Sequence, residues 1–165
     1  MLVIFYLSAI VLANLSVAQF GPAVSILNAF LFIGLDLTMR DALHEKWHYN
    51  NLFLKMATLI LTGSVLSAAL NINALRIALA SCVAFGAAAS VDTLVYVLLH
   101  KKHPLIKING SNLASSAVDS LIFPILAFGF PILWGIVIGQ FIAKVGGGAM
   151  WSIVIQIVKR PSKVQ

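Results

Sequence analysis

Six apolar stretches follow one another along this chain with only short polar separators: Leu2 to Phe20, Ala23 to about Asp41, Leu52 to Leu70, Ala74 to Leu99, about Asn109 to Gly129, and Ile132 to Val158. At about 1.5 Å of rise per residue, each is long enough as a helix to cross roughly 30 Å of hydrocarbon. The separators are Gly21-Pro22, Arg40 to Asn51, Asn71-Ile72-Asn73, His100 to Lys107 and Phe130-Pro131. None is long enough to hold a soluble domain. Of the 165 residues, 61% are hydrophobic and only 10% charged, too little polar surface to coat a core in water. The expected fold is therefore all-α: a polytopic membrane protein of six transmembrane helices, one bundle over residues 1–165.

A net charge of +6 in a soluble domain would point to nucleic acid. Here the basic residues stand in the connections, where they read as topology signals, so no nucleic-acid partner is expected. Arg40, Lys46 and Lys55 flank the second connection, Lys101, Lys102 and Lys107 the fourth, and Lys159, Arg160 and Lys163 the tail, while the opposite side carries only Arg76. The positive-inside rule then places both termini in the cytoplasm, in agreement with an even number of spans. The small residues Ser16-Val17-Ala18 resemble a signal-peptidase site, but the basic n-region of a signal peptide is missing. Cys82, the one cysteine, can form no intrachain disulfide and reads as a packing residue.

Against this background the polar residues inside the spans stand out. An ionised side chain in lipid costs a few kcal/mol or more, so it usually faces a cavity, a counter-charge or a substrate. Asp36, Asp92 and Asp119 are such residues. Asp36 and Arg40 are spaced i, i+4 on one helix face, which suits either a structural ion pair or a ligand-facing carboxylate tuned by the arginine. Ser90-Val91-Asp92-Thr93-Leu94-Val95-Tyr96 echoes Ala117-Val118-Asp119-Ser120-Leu121-Ile122-Phe123 on the next, antiparallel helix. Helical rise puts both aspartates ~12 to 15 Å deep, at a depth where they can share one pocket.

Lys144 lies about 20 Å from the outer end of the sixth helix, so it must pair, snorkel inward or touch substrate. Gly146-Gly147-Gly148 beyond it allows either close backbone approach or a helix break beside a site. Gly135 and Gly139 form a GxxxG pair, a helix-packing signal compatible with a homodimer. Asn14, Asn28, Asn112, Ser115, Ser116 and Gln140 add hydrogen-bonding groups in or near the spans. Together these groups exceed what helix packing needs, and a polar cavity between helices accounts for them.

His44-Glu45-Lys46-Trp47-His48 matches HExxH, the spacing that sets two imidazoles and a glutamate base around one metal. An intramembrane metalloprotease is thus an alternative reading. The pentad falls in a charged connection, with Asp92 and Asp119 deeper, which favours a solvated helix end. No glycine-rich phosphate loop, GxSxG elbow or CxxC is present, so no enzyme activity, cofactor or metal is expected.

The run Phe30-Leu31-Phe32-Ile33-Gly34-Leu35-Asp36-Leu37-Thr38-Met39-Arg40 resembles the F-x-F-x-x-x-D-L-T-x-R segment of the queuosine-precursor transporters, a vitamin-uptake-transporter-like family. Further pieces match in order: Ala13-Asn14, Arg76 with Ala80-Ser81, Asp92 with Tyr96, Asn112 through Phe123 as N-x-x-S-x-x-x-D-[ST]-x-x-F, and Lys144. The resemblance covers nearly the whole chain. It implies import of 7-cyano-7-deazaguanine or its aminomethyl relative across a bacterial-type plasma (inner) membrane. It also implies substrate-binding roles for Asn14, Asp36, Arg40, Asp92, Asn112, Ser116, Asp119 and Lys144. The loops are shorter than is typical of the family, which leaves another vitamin-like heterocycle as the alternative cargo.

The chemistry of the residues suits that cargo. A guanine-like edge offers two adjacent N–H donors, which one carboxylate can accept as a pair. Asp92 or Asp119 can play this part, with the other meeting an aminomethyl cation. Asn14 and Asn112 suit the ring acceptors, while Lys144 or Arg40 balances the empty site. Phe and Tyr rings can stack on the base. The family is similar in fold to the substrate-binding components of energy-coupling-factor transporters, and Ala9 and Ala13 give an AxxxA spacing that weakly suggests an ATPase partner. A third reading makes the aspartates structural only, pairing helices in an assembly protein.

Overall fold

The computed structural model describes residues 2–32 and 52–158. Among these the chain is all-helical: α1 (Leu2–Phe20), α2 (24–32), α3 (Leu52–Leu70), a 3-10 turn (Ile72–Ala74), α4 (Leu75–Leu98), α5 (Pro104–Phe128) and α6 (Trp134–Val158). Among the described residues three stretches are long and apolar enough to cross a membrane: Val3–Phe20, Ile72–Leu98 and Asn109–Phe128, with Ala57–Leu70 a shorter apolar helix.

α1, α3 and α5 end where the sequence supplies a stop. After α1, Gly21 takes a φ of +83°, a conformation that costs a glycine little, and donates its N–H to the Val17 carbonyl at 2.9 Å. Pro22 then begins the next turn, its carbonyl accepting from Ser25 N–H. After α3, the Asn71 side chain accepts from Asn73 N–H at 3.0 Å, the local bond that makes asparagine a turn former. α5 ends at Gly129, with a φ of +80°. There Arg76 at the start of α4 donates Nε–H to the Leu126 carbonyl at 3.1 Å, satisfying one of the last-turn acceptors and placing positive charge at the negative end of the helix.

The start of α5 differs from the sequence reading. The apolar part of α5 begins at Asn109, yet the helix starts at Pro104, so Lys107 belongs to the helix and the connection shrinks to residues 99–103. Proline suits a first helical position because its missing N–H has no partner to lose there and its φ is already helical. Of the two readings left open for Gly146-Gly147-Gly148, the helix break is not taken: α6 runs unbroken through them. In hydrocarbon a break would leave backbone N–H and C=O groups without partners, which keeps a glycine run helical.

The bundle is inside-out relative to a water-soluble protein. Asn14 (3% exposed), Gln140 (2%), Ser67 and Ser120 are buried, whereas Leu12, Leu61, Leu79, Ile138 and Ile142 face outward. In water that distribution would be costly, but hydrocarbon reverses it, since outward leucines are solvated and polar groups must find internal partners. This is a membrane protein.

Among the described residues α4 and α5 pack extensively as an antiparallel pair, with α3 against α1 and α4, and α6 against α5. Close approach is made by glycine at two crossings. Gly63 of α3 packs on Ile10 of α1, and Gly139 of α6 packs on Ile26 of α2. Gly135, the other half of the GxxxG pair, has open space beside it. At the Arg76 end, Val17, Ile77, Ala80 and Ala127 form a buried apolar cluster, with Phe123 and Phe128 packed against it.

Candidate functional site

All six helices contribute to a cavity of about 210 Å³ between them. Helical period explains the convergence. On α1, Tyr6, Ala9, Ile10, Ala13, Asn14 and Val17 recur every three or four residues and share one face. On α5 the pair Asp119 and Phe123, and on α6 the pair Gln140 and Lys144, are each i, i+4 neighbours. Ser25, Asn28, Ala29 and Phe32 come from α2, Ile60 from α3, and Ser81 and Phe85 from α4. The walls are largely apolar and aromatic, with a few polar groups at chosen points, the usual composition of a small-molecule site.

Those polar groups are held in place by their own bonds. The Lys144 ammonium pairs with Asp119 Oδ2 and also donates to Ser120 Oγ at 3.2 Å. Its side chain is 10% exposed and that of Asp119 27%. Pro124, one turn after Ser120, has no N–H to offer the Ser120 carbonyl, so α5 lacks one rung of its ladder beside this pair. Gln140 donates to Ser25 Oγ at 2.7 Å, tying α6 to α2. Asn14 donates to Ser67 Oγ at 3.1 Å, and Ser67 in turn to the Gly63 carbonyl at 2.7 Å. Asn28 donates to the Ala13 carbonyl at 3.1 Å and to Ser16 Oγ at 2.8 Å. Because these bonds use amide N–H groups, the amide oxygens of Asn14, Asn28 and Gln140 retain acceptor capacity toward a ligand.

A second, smaller cavity of about 80 Å³ adjoins the first and shares Phe85, Asp119 and Lys144 with it. Asp92, Ser115, Ser116, Ala88 and Ala89 complete its lining. The Asp119–Lys144 pair therefore stands at the border of both spaces. Asp92 Oδ1 is buried with no hydrogen-bond partner.

The eight sequence candidates are distributed as follows. Asn14, Asp119 and Lys144 line the larger cavity, and Asp92 and Ser116 join Asp119 and Lys144 at the smaller one. Asn112 lines neither; it is exposed on α5, its carbonyl accepting from Ser115. Asp36 and Arg40 lie outside the described residues, as does the His44 to His48 pentad. Among the described residues no group of three or more His, Cys, Asp or Glu side chains is placed to hold a metal ion. Ala9 and Ala13 both line the cavity, so their spacing serves the interior of the bundle.

Sequence reasoning missed Ser25 and the specific aromatic lining of Tyr6, Phe32, Phe85 and Phe123. Ser25 was detectable in part: it stands i, i+3 from Asn28, two polar groups on one face of an apolar helix. The aromatic residues carry no such signal, because a membrane helix displays phenylalanine toward lipid as readily as toward a cavity.

Residues 2–158 match the family model described as "Putative vitamin uptake transporter". Neither a curated protein nor a solved structure gives a significant match. With the match extending over nearly the whole length, the chain belongs to the vitamin uptake transporter family, which includes queuosine precursor transporters.

Proposed function

We propose that this protein is an importer of queuosine precursors, 7-cyano-7-deazaguanine or its aminomethyl relative, and that the larger cavity is the substrate site. The observation carrying this reading is a compact, aromatic-walled cavity with one carboxylate, Asp119, poised at its edge by Lys144. A cavity of about 210 Å³ is small for a ligand pocket and suits a flat heterocycle better than an extended chain. Phe85 and Phe123 offer π-faces for the base, and Asp119 offers two oxygens to adjacent N–H donors. The amide oxygens of Asn14, Asn28 and Gln140 supply further acceptors, and the hydroxyls of Ser25 and Ser81 complete the polar lining.

In this reading the chain forms one bundle with six transmembrane helices and both termini in the cytoplasm of a bacterial-type cell. The Arg76 end of the bundle, closed by the apolar cluster around Val17 and Ala127, faces outward. Transport then consists of opening that cluster to admit the base and opening the opposite end to release it. The protein makes and breaks no covalent bond.

The test is uptake of radiolabelled 7-cyano-7-deazaguanine into proteoliposomes reconstituted with the purified protein. Saturable uptake, competed by the unlabelled compound and lost in Asp119→Asn, is the expected result. Uptake equal to that of empty liposomes, with another heterocycle transported instead, assigns the cavity to a different cargo.

A further inference from the structure

The smaller cavity holds a carboxylate oxygen for which the empty site has no use. Asp92 Oδ1 is buried and unpartnered, although Asp92 lines the same space as Lys144, the ammonium that already serves Asp119. Two carboxylates thus border this space with one ammonium between them. Asp92, Asp119 and Lys144 all line this one small cavity, so the lysine head has a carboxylate wall on either course it can take. Lysine suits such a position. Its charge is a point rather than a plane, its three donors rotate freely, and its four-carbon stem is flexible. Ala88 and Ala89 keep the floor of the space small and unobstructed.

We propose that Asp92 is a second seat for the Lys144 ammonium, and that a ligand claiming Asp119 from the larger cavity sends Lys144 across to Asp92. The proposal rests on the reading of Asp119 as the ligand's acceptor. It explains how one carboxylate can be paired in the empty site and still be available to substrate. When paired N–H donors replace the ammonium at Asp119, the ammonium satisfies Asp92, and no carboxylate is left without a partner. A ligand that cannot displace Lys144 gains nothing from Asp92. Asp92 is therefore a positioning residue: it acts through Lys144 and sets selectivity for ligands with paired donors without touching them.

The first test needs no ligand and so stands apart from the substrate assignment. Melting temperatures are compared for the full-length parent, Asp92→Asn, Asp119→Asn and the double variant in detergent. The exchange account expects Asp119→Asn to keep most of the parent's stability, because Lys144 re-pairs with Asp92. It expects the double variant to lose more than the sum of the two single losses. A double variant that fails to fold while both singles fold is the extreme form of that result. Additive losses, or failure of Asp119→Asn to fold with Asp92 intact, overturn the proposal.

The second test measures binding of 7-cyano-7-deazaguanine and its analogue lacking the 2-amino group. The parent should prefer the amino compound by about tenfold or more, since the analogue removes one of the paired donors. Asp92→Asn should shrink that preference and Asp92→Glu should restore it. Equal weakening of both compounds in Asp92→Asn contradicts the exchange. Binding of neither compound by the parent refutes the substrate reading and leaves the stability cycle to decide the exchange alone.

Discussion

Replacing Lys144 with methionine keeps most of the side-chain volume and removes the ammonium that pairs with Asp119 and donates to Ser120. Breaking a buried ion pair by removing one partner typically costs about 3–5 kcal/mol, because the other charge stays behind unpaired. Asp119 is 27% exposed, so residual solvation lowers the figure, and about 2–3 kcal/mol is expected. For a chain of this length each kcal/mol moves the midpoint by about 2–4 °C, giving a fall of roughly 4–12 °C. The assay is thermal unfolding of the purified protein in detergent, followed by tryptophan fluorescence. Adding Asp119→Asn to Lys144→Met should recover most of the loss, because the stranded carboxylate becomes a neutral amide. A Lys144→Met protein that melts with the parent, or a double variant no better than the single, refutes the claim that this pair is a desolvated structural element.

Three further outcomes follow from particular contacts. A Cβ on Gly63 would lie 2.8 Å from Cγ2 and 3.2 Å from Cβ of Ile10, atoms fixed close to the backbone. Gly63→Ala should therefore lower the melting temperature, an overpacking cost of about 1–3 kcal/mol exceeding a helix-propensity gain of about 1 kcal/mol. At Gly139 the nearest atom is Ile26 Cδ1 at 2.6 Å, the free end of a side chain, so Gly139→Ala should be closer to neutral; the same thermal scan would show the reverse order if the packing is misread. Asn112→Ala should leave ligand affinity unchanged in a calorimetric titration, because Asn112 is exposed and outside both cavities.

Much of this architecture was legible because a bilayer makes severe demands on sequence. Span length, separators such as Asn71-Ile72-Asn73, and the rarity of intramembrane charge are local properties, and they marked the helices together with Asp92, Asp119 and Lys144. The partner of Lys144 was not legible, since pairing, snorkelling and ligand contact all satisfy the same residue at the same depth. Only the docking of α6 against α5 decides for Asp119. Asn112 shows the converse. It continues the spacing of Ser116 and Ser120 along α5, yet it is exposed and lines neither cavity, and a helical repeat carries no information about where a cavity stops. The alanine pair Ala9 and Ala13 was ambiguous for a related reason: small residues allow close approach on either side of a helix, and here they open space for the cavity.

The central claim is that the space between the six helices receives a deazapurine through Asp119. Its most direct test is calorimetric titration of the detergent-purified protein with 7-cyano-7-deazaguanine, its aminomethyl analogue and guanine, alongside a folded Asp119→Asn variant. Saturable binding of a deazapurine, lost in the variant while its melting temperature stays measurable, is the expected result. Heat signals that do not saturate for any of the three, or binding that Asp119→Asn leaves intact, would contradict the account.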